Sequence, residues 1–256
     1  MASQSESMSD AHTEQPSLRG RLAVVTGGTT GLGRAIAVLL AAEGAKVFIC
    51  GRQSQHLQDA LARIREVGEG DGLAIDLSEP GQVEVFFEAA QAYLGGLDIA
   101  VVNAAIPASP VGEITAQELA YQIATDFTAY LESTRQALAR MDKGSDIVLI
   151  GSMSGVDQDP GGSVYTGMKA GVHAFGRALR QEVAERDIKV GVIEPGFTGA
   201  DFQEPEFSPK HQSALIDKDQ MLRAEDIAVA THFMLTQPRR AAVSLIRVEP
   251  RLPHSG

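Results

Sequence analysis

A chain of 256 residues with 44% apolar content is long enough to bury the core of one large α/β domain or two small ones. Its 33 acidic residues outnumber 22 basic ones for a net charge of -11, and Arg239-Arg240 is a pair rather than a patch, which argues against a surface built for nucleic-acid phosphates. A single cysteine, Cys50, lies in an apolar run and excludes an intrachain disulfide, so the expected compartment is the reducing cytoplasm.

Residues 1–17 are rich in Ser, Gln, Glu and Asp, lack the basic start and apolar stretch of a secretory signal, and read as a disordered tail ahead of a single domain at 18–256. The most apolar stretches, such as Ala35 to Ala42, fall far short of the roughly 20 residues that span a bilayer, so no membrane segment is expected.

From Leu22 onward, short β-branched runs alternate with segments of helical period. The expected strands are Leu22–Val25, Lys46–Cys50, Leu73–Ile75, Ile99–Val102, Ile147–Ile150, Val190–Ile193 and Ala242–Val248. The expected helices are Ala35–Glu43, Leu57–Val67, Val83–Leu94, Glu118–Met141, Gly171–Glu185 and Ala224–Leu235. Continuous rather than alternating apolar strands are those buried on both faces. The expected fold class is therefore α/β: a Rossmann-like, doubly wound parallel sheet of about seven strands in three α/β/α layers. The least regular stretch, about 197–222, contains Pro205 and Pro209 and is expected to form a substrate lid.

The first strand is followed by Thr26-Gly27-Gly28-Thr29-Thr30-Gly31-Leu32-Gly33 and then a helix of strong formers. Glycine permits the tight turn and the close backbone approach by which helix N-terminal amides meet a pyrophosphate. Gly27, Thr29, Thr30, Gly31, Leu32 and Gly33 are thus the expected dinucleotide cradle. In such folds a carboxylate after the second strand binds the ribose 2′-hydroxyl of NAD, whereas arginine accommodates the 2′-phosphate of NADP. This strand ends Cys50-Gly51-Arg52, which favours NADP(H) over NAD(H). Asp76 after the third strand is placed either to bond the adenine or to cap a helix beginning near Pro80, and Asn103, Ala104 and Ala105 close the fourth where the adenine ribose would lie.

Together with Asp76-Leu77, Asn103-Ala104-Ala105, Ser152, the Tyr165-x-x-x-Lys169 pair and Pro195-Gly196, that turn resembles the short-chain dehydrogenase/reductase family in identity, order and spacing over about residues 18–250. The resemblance implies an oxidoreductase that moves hydride reversibly between the nicotinamide and a secondary alcohol or ketone. It also implies a homo-oligomer, dimer or tetramer, built on the long helices beside the active-site strand. The chemistry has a physical basis in the residues. Reducing a carbonyl needs a proton donor beside its oxygen; Tyr165 can serve if a cation favours its anion, and Lys169 lies one helical turn later. By resemblance Lys169 also bonds the nicotinamide ribose. Ser152 supplies a hydroxyl to orient the substrate oxygen, the family's spacing selecting it over Ser154. His173 reads as a packing or surface residue and Cys50 as an inert strand residue. No metal site is expected.

Three departures from the family pattern stand out. Asp126 occupies the place of the usual asparagine, which acts largely through its main-chain carbonyl by holding a water against the lysine; Asp126 is therefore carried as the fourth catalytic position. After Pro195-Gly196 the family's nicotinamide-contacting threonine falls at Ala200, with Thr198 as the nearby candidate. Ala105 stands where glycine is usual. The substrate pocket is expected to be walled by 106–114 and 153–162 and roofed by 197–222, with Met153, Val156, Phe197 and Phe202 as apolar contacts. Acidic residues outnumber lysines across the roof, which favours a neutral or cationic small molecule. Two rival readings are a lyase or isomerase that uses bound cofactor transiently, against which the absence of an extra C-terminal substrate domain weighs, and a non-catalytic dinucleotide-binding regulator, against which the retention of Ser152, Tyr165 and Lys169 weighs.

A carboxylate at Asp126 opposes the field that acidifies Tyr165, so alcohol oxidation, which needs the tyrosinate, should peak at higher pH than in an Asp126→Asn variant. Superimposable pH–rate profiles of the two proteins would refute this.

Overall fold

The computed structural model describes residues 15–107, 110–157, 162–200, 203 and 207–253; Phe202 and most of the expected tail, residues 1–14, lie outside them. Strands β1 (Leu22–Val25), β2 (Lys46–Gly51), β3 (Glu69–Ala74), β4 (Leu97–Val102), β5 (Met141–Ile150), β6 (Lys189–Pro195) and β7 (Leu245–Val248) form one sheet in the order β3-β2-β1-β4-β5-β6-β7. Every neighbouring pair is parallel.

Strands β1, β2, β4 and β6 and the second half of β5 are largely apolar because both faces are covered. In β1, Val24 joins a core with Phe86 and Phe87 of α3 (Gln82–Leu94), Tyr130 of α5 (Ala129–Leu138) and Val172 of α7 (Ser163–Glu182). Its neighbours Ala23 and Val25 join a second core with Ile36 of α1 (Gly31–Ala42), Ile64 of α2 (Ser54–Val67) and Ile227 of α9 (Ala224–Leu235). Alternate side chains thus enter opposite layers, as the strand period requires. The chain reverses its progression across the sheet between β1 and β4, and at such a switch point the carboxyl ends of the strands open a crevice.

Several boundaries differ from the sequence reading. β3 begins at Glu69 rather than Leu73, because Gly70, Asp71 and Gly72 pair with β2 along the sheet edge without an apolar pattern to announce them. β7 is shorter than expected and begins at Leu245. The single helix expected at Glu118–Met141 is divided: α4 (Ala116–Ile123) starts at a Thr115–Glu118 capping box, a π-helical turn spans Ala124–Thr128, α5 ends at Leu138, and Met141 already pairs with Leu97 in the sheet. The irregular 197–222 stretch holds α8 (Pro209–Ile216), whose Ser208 cap accepts from the His211 amide. Its two ends are closed by Leu222 N to Phe197 O and Gly199 N to Leu222 O, at 2.9 and 2.8 Å. α3 starts at Gln82 after Gly81, so Asp76 is not its cap.

At the opposite end of the sheet from the crevice, the Asp146 carboxylate, 3% exposed, accepts from Arg21 and Arg239 at 3.0 Å each and lies 3.5 Å from Lys189. This joins the segments leading into β1 and β6 and the loop before β7 to β5. Removing the carboxylate leaves three cations facing one another, so Asp146→Ala should lower unfolding free energy by about 2–4 kcal/mol in denaturant titrations. A loss under about 0.5 kcal/mol would show that solvent already screens the cluster.

Candidate active site

The turn after β1 is pressed against the end of β4. Thr26 Oγ1 accepts from the amides of Asn103 and Ala104 at 2.9 and 3.2 Å, and Asn103 Nδ2 donates to the carbonyls of Thr26 and Gly27 at 3.0 and 3.2 Å. Gly27 has φ +64°, and a Cβ at Gly33 would sit 2.1 Å from the Gly27 carbonyl oxygen. α1 begins at Gly31 with Thr30 extended before it and no side chain capping its first amides. A turn whose Gly27 and Gly33 leave no room for a side chain, ending in helix amides that no side chain caps, fits a dinucleotide pyrophosphate. Thr26, a linchpin of this arrangement, was not singled out by sequence, because its role is to a strand distant in the chain.

Beyond the turn, exposed Arg52 donates to Tyr121 Oη at 2.5 Å, Tyr121 donates to Asp76 Oδ2 at 2.8 Å, and Asp76 Oδ1 accepts from the Ser78 amide and hydroxyl. Burial works to raise the Asp76 carboxyl, but the bonds from Ser78 and Tyr121 and the Arg52 charge outweigh it and hold the group below its ordinary range. Leu77 is buried beside it at 8% exposure. Tyr121 was absent from the sequence reading; nothing in its local pattern separates it from a surface residue of α4.

At the ends of β4 and β5 the Lys169 ammonium is 1% exposed and donates to the Ile150 carbonyl at 2.9 Å and Tyr130 Oη at 3.0 Å. It lies 5.6 Å from the Tyr165 ring centroid. Burial pulls Lys169 down to about 8, with Asp126 opposing the fall. Desolvation pushes the Tyr165 hydroxyl well above its ordinary range; a hydrogen bond with Ser152 pulls the other way, and the Asp126 charge adds to the rise. The expectation that the Lys169 charge acidifies Tyr165 meets a larger opposing influence, desolvation, and the lysine directs two of its donors to Tyr130 and Ile150.

Ser152 is oriented from two sides. Its Oγ accepts from the Ser154 amide at 3.1 Å, which makes Ser154 a support rather than a competitor. Its own amide donates to His173 Nε2 at 3.2 Å, while His173 Nδ1 faces Glu194 at 3.3 Å and Glu194 is held by Arg247 at 3.0 Å. Burial lowers His173, keeping it neutral with its Nε2 lone pair on Ser152. Asp126 is fully buried within the π-turn, and burial raises it to about 6. Cys50 is buried and pushed up to about 12, which makes its thiol inert.

Met153 donates its amide to Pro195, Val156 is exposed on the short α6 (Ser154–Asp157), and Phe197 meets Phe207 edge-on at 5.1 Å. Thr198 is buried with its hydroxyl on the Gly196 carbonyl at 2.9 Å, and Ala200 lies against Gly31. Among the described residues no group of His, Cys, Asp and Glu could hold a metal ion, and no helix is long and apolar enough to cross a membrane.

Gly33→Ala would drive a methyl into the Gly27 carbonyl and Asn103, so the variant should bind NADPH at least about tenfold more weakly in a fluorescence titration, the loss expected when a close-packed cradle must shift. Undiminished affinity would place the cofactor elsewhere.

Comparison with known proteins agrees with this geometry. The family model for short chain dehydrogenase matches residues 21–211. An uncharacterized oxidoreductase of Staphylococcus aureus (strain MRSA252) is 31% identical over 240 residues, covering 91% of this chain and 98% of the relative. Carbonyl reductase family member 4 of Xenopus laevis is 28% identical over 221 residues, covering 85% and 92%. A crystal structure of a short chain dehydrogenase from Burkholderia cenocepacia J2315 in complex with NADP superposes with a TM-score of 0.83 at 26% identity, covering 92% of this chain and 98% of that one. A cradle for a dinucleotide, a buried lysine beside a tyrosine and serine, and a family match across most of the sheet converge: the chain belongs to the short-chain dehydrogenase/reductase family and is an NAD(P)-dependent oxidoreductase.

Proposed function

We propose that the protein reduces a ketone, or oxidises the matching secondary alcohol, with NADP(H) in preference to NAD(H). The observation that carries this reading is the hydrogen bond between Tyr165 and Ser152 beside the buried Lys169. When bound, the reduced cofactor supplies the hydride. Ser152, its hydroxyl fixed by the Ser154 amide and its backbone by His173, orients the carbonyl oxygen. Tyr165 gives that oxygen its proton, and Lys169 supplies positive charge as the phenolate forms. The oxidation direction runs the same proton back to Tyr165.

Preference for NADP rests on Arg52, which stands after β2 where a carboxylate would favour NAD, and which is held through Tyr121 to Asp76. Supporting it, the similar Burkholderia protein was crystallised with NADP. Gly27, Thr29, Thr30, Gly31, Leu32 and Gly33 would hold the pyrophosphate, Asp76, Leu77, Asn103 and Ala104 the adenosine, and Lys169, Pro195, Gly196 and Thr198 the nicotinamide end. Residues 18–256 then act as one catalytic domain, with Met153, Val156 and Phe197 toward a small neutral or cationic substrate. By family likeness the protein works as a dimer or tetramer, and its single cysteine fits the reducing cytoplasm.

Oxidation of NADPH and NADH should be followed at the reduced-nicotinamide absorbance against a panel of ketones and aldehydes. Tyr165→Phe should lose at least about 1000-fold in kcat, since a general acid contributes up to about 10⁴-fold and nothing replaces it. Arg52→Ala should weaken NADPH binding by about 10-fold or more with little effect on NADH, the loss of one charge-assisted bond. Tight NADPH binding with no turnover on any carbonyl would support the regulator instead.

A further inference from the structure

Asp126 and Lys169 are both fully buried and feel each other's charge, yet the ion pairs among the described residues do not include a contact between them. The hydrogen bonds show what occupies the carboxylate. Its Oδ1 accepts from the Ile106 amide at 2.8 Å, and its Oδ2 accepts from Gln122 Nε2 at 3.1 Å. The same Gln122 nitrogen donates its other hydrogen to the Ile106 carbonyl at 3.0 Å. Gln122 is itself 3% exposed. The bonds close a ring: the amide of Ile106, the two oxygens of Asp126, the amino group of Gln122 and the carbonyl of Ile106. Both backbone polar groups of Ile106 thereby find partners, and each carboxylate oxygen has a donor.

We infer that Gln122 is a positioning residue for the reaction: by occupying Asp126 it keeps the carboxylate from capturing Lys169, and with Asp126 it fixes the loop between the cofactor-facing end of β4 and α4. Each member of the ring has a defined role. A carboxylate is required at Asp126 because it faces two donors and must accept from both. An amide is required at Gln122 because one nitrogen must serve a carboxylate and a carbonyl. Gln122 and Asp126 stand four residues apart, across the junction of α4 and the π-turn, which brings both side chains to Ile106.

Without the Gln122 donor, Oδ2 is a buried oxygen that has lost its partner, within reach of the Lys169 charge. A direct pair would draw Lys169 away from Tyr130, Ile150 and Tyr165. A neutral carboxamide at 126 cannot do this, and in the absence of the glutamine it can close the ring alone, taking the Ile106 amide on its oxygen and giving a hydrogen to the Ile106 carbonyl. The two positions should therefore exchange as a pair and not singly.

The inference rests on the oxidoreductase reading for its effect on turnover, so its test begins with readouts that need no substrate. Gln122→Leu, Asp126→Asn and the double variant are compared by thermal melting and by hydrogen exchange of the peptide containing Ile106. Each single change should lower the melting midpoint by about 4–8 °C and speed exchange at Ile106, because a buried donor or acceptor loses its partner. The double variant should return to within about 2 °C of the parent, with slow exchange restored. A double variant that loses the sum of the two singles overturns the ring, whatever the protein's reaction is. With the ketone reduced fastest in the panel, Gln122→Leu should lose about 10–100-fold in kcat with a smaller change in KM, and its pH profile should move as Lys169 becomes paired; the double variant should recover to within about threefold. Restored melting without restored kcat would leave the ring standing and overturn its catalytic role.

Discussion

An ammonium group held at 1% exposure is the constraint around which the upper end of this fold is arranged. Charge in a dry interior is costly unless donors find acceptors, and a bare lysine there would lose its proton. Lys169 is met by the carbonyl at the end of β5 and by the hydroxyl of Tyr130, which itself donates toward the carbonyls of Asn103 and Ile150. One buried cation thus draws α7, α5 and the ends of β4 and β5 into a single polar knot within an otherwise apolar core. Asp126 adds a second, more distant compensation that keeps the lysine from falling further.

The same economy shapes the rest of the site. Tyr165 belongs to the helix that carries Lys169, so the position of one sets the position of the other. Ser152 follows β5 directly, and its backbone is tied through His173 and Glu194 to Arg247 on β7, a chain of bonds crossing three secondary elements. Across the crevice, the glycine turn owes its shape to Thr26 and Asn103, which join the end of β1 to the end of β4. These contacts place the glycine turn and the Ser152, Tyr165 and Lys169 group at the same end of one sheet, near the point where strand order reverses. Fold alone would not name a reaction; the reading depends on these particular groups and their surroundings.

The aspartate at 126, where the family resemblance implies asparagine, shows how a departure can be absorbed. Read singly, it looks like damage to the site, because a second buried charge beside Lys169 changes every ionisation nearby. Its neighbours alter that reading: the two oxygens are bonded within a ring that includes Gln122 and the loop after β4. The π-turn that contains it interrupts a helix the apolar period runs straight through, since an inserted residue shifts the backbone without disturbing the pattern of side chains on either side.

Much of the protein was legible in the linear chain. Apolar runs marked β1, β2, β4, β6 and the second half of β5, where burial on both faces leaves no polar alternation, and the glycine turn, Ser152, Tyr165 and Lys169 were legible because their order and spacing resemble the family pattern. The tertiary structure alone decided the rest. β3 starts early because an edge strand of glycine and aspartate is held by pairing rather than by pattern. Tyr121, Tyr130, Gln122, Thr26 and the function of His173 are defined by partners 16 to 78 residues away or across the sheet, and such distances are set only when the layers close. Short-range spacing is written in the chain; satisfaction of buried polar groups is a property of what folding brings together.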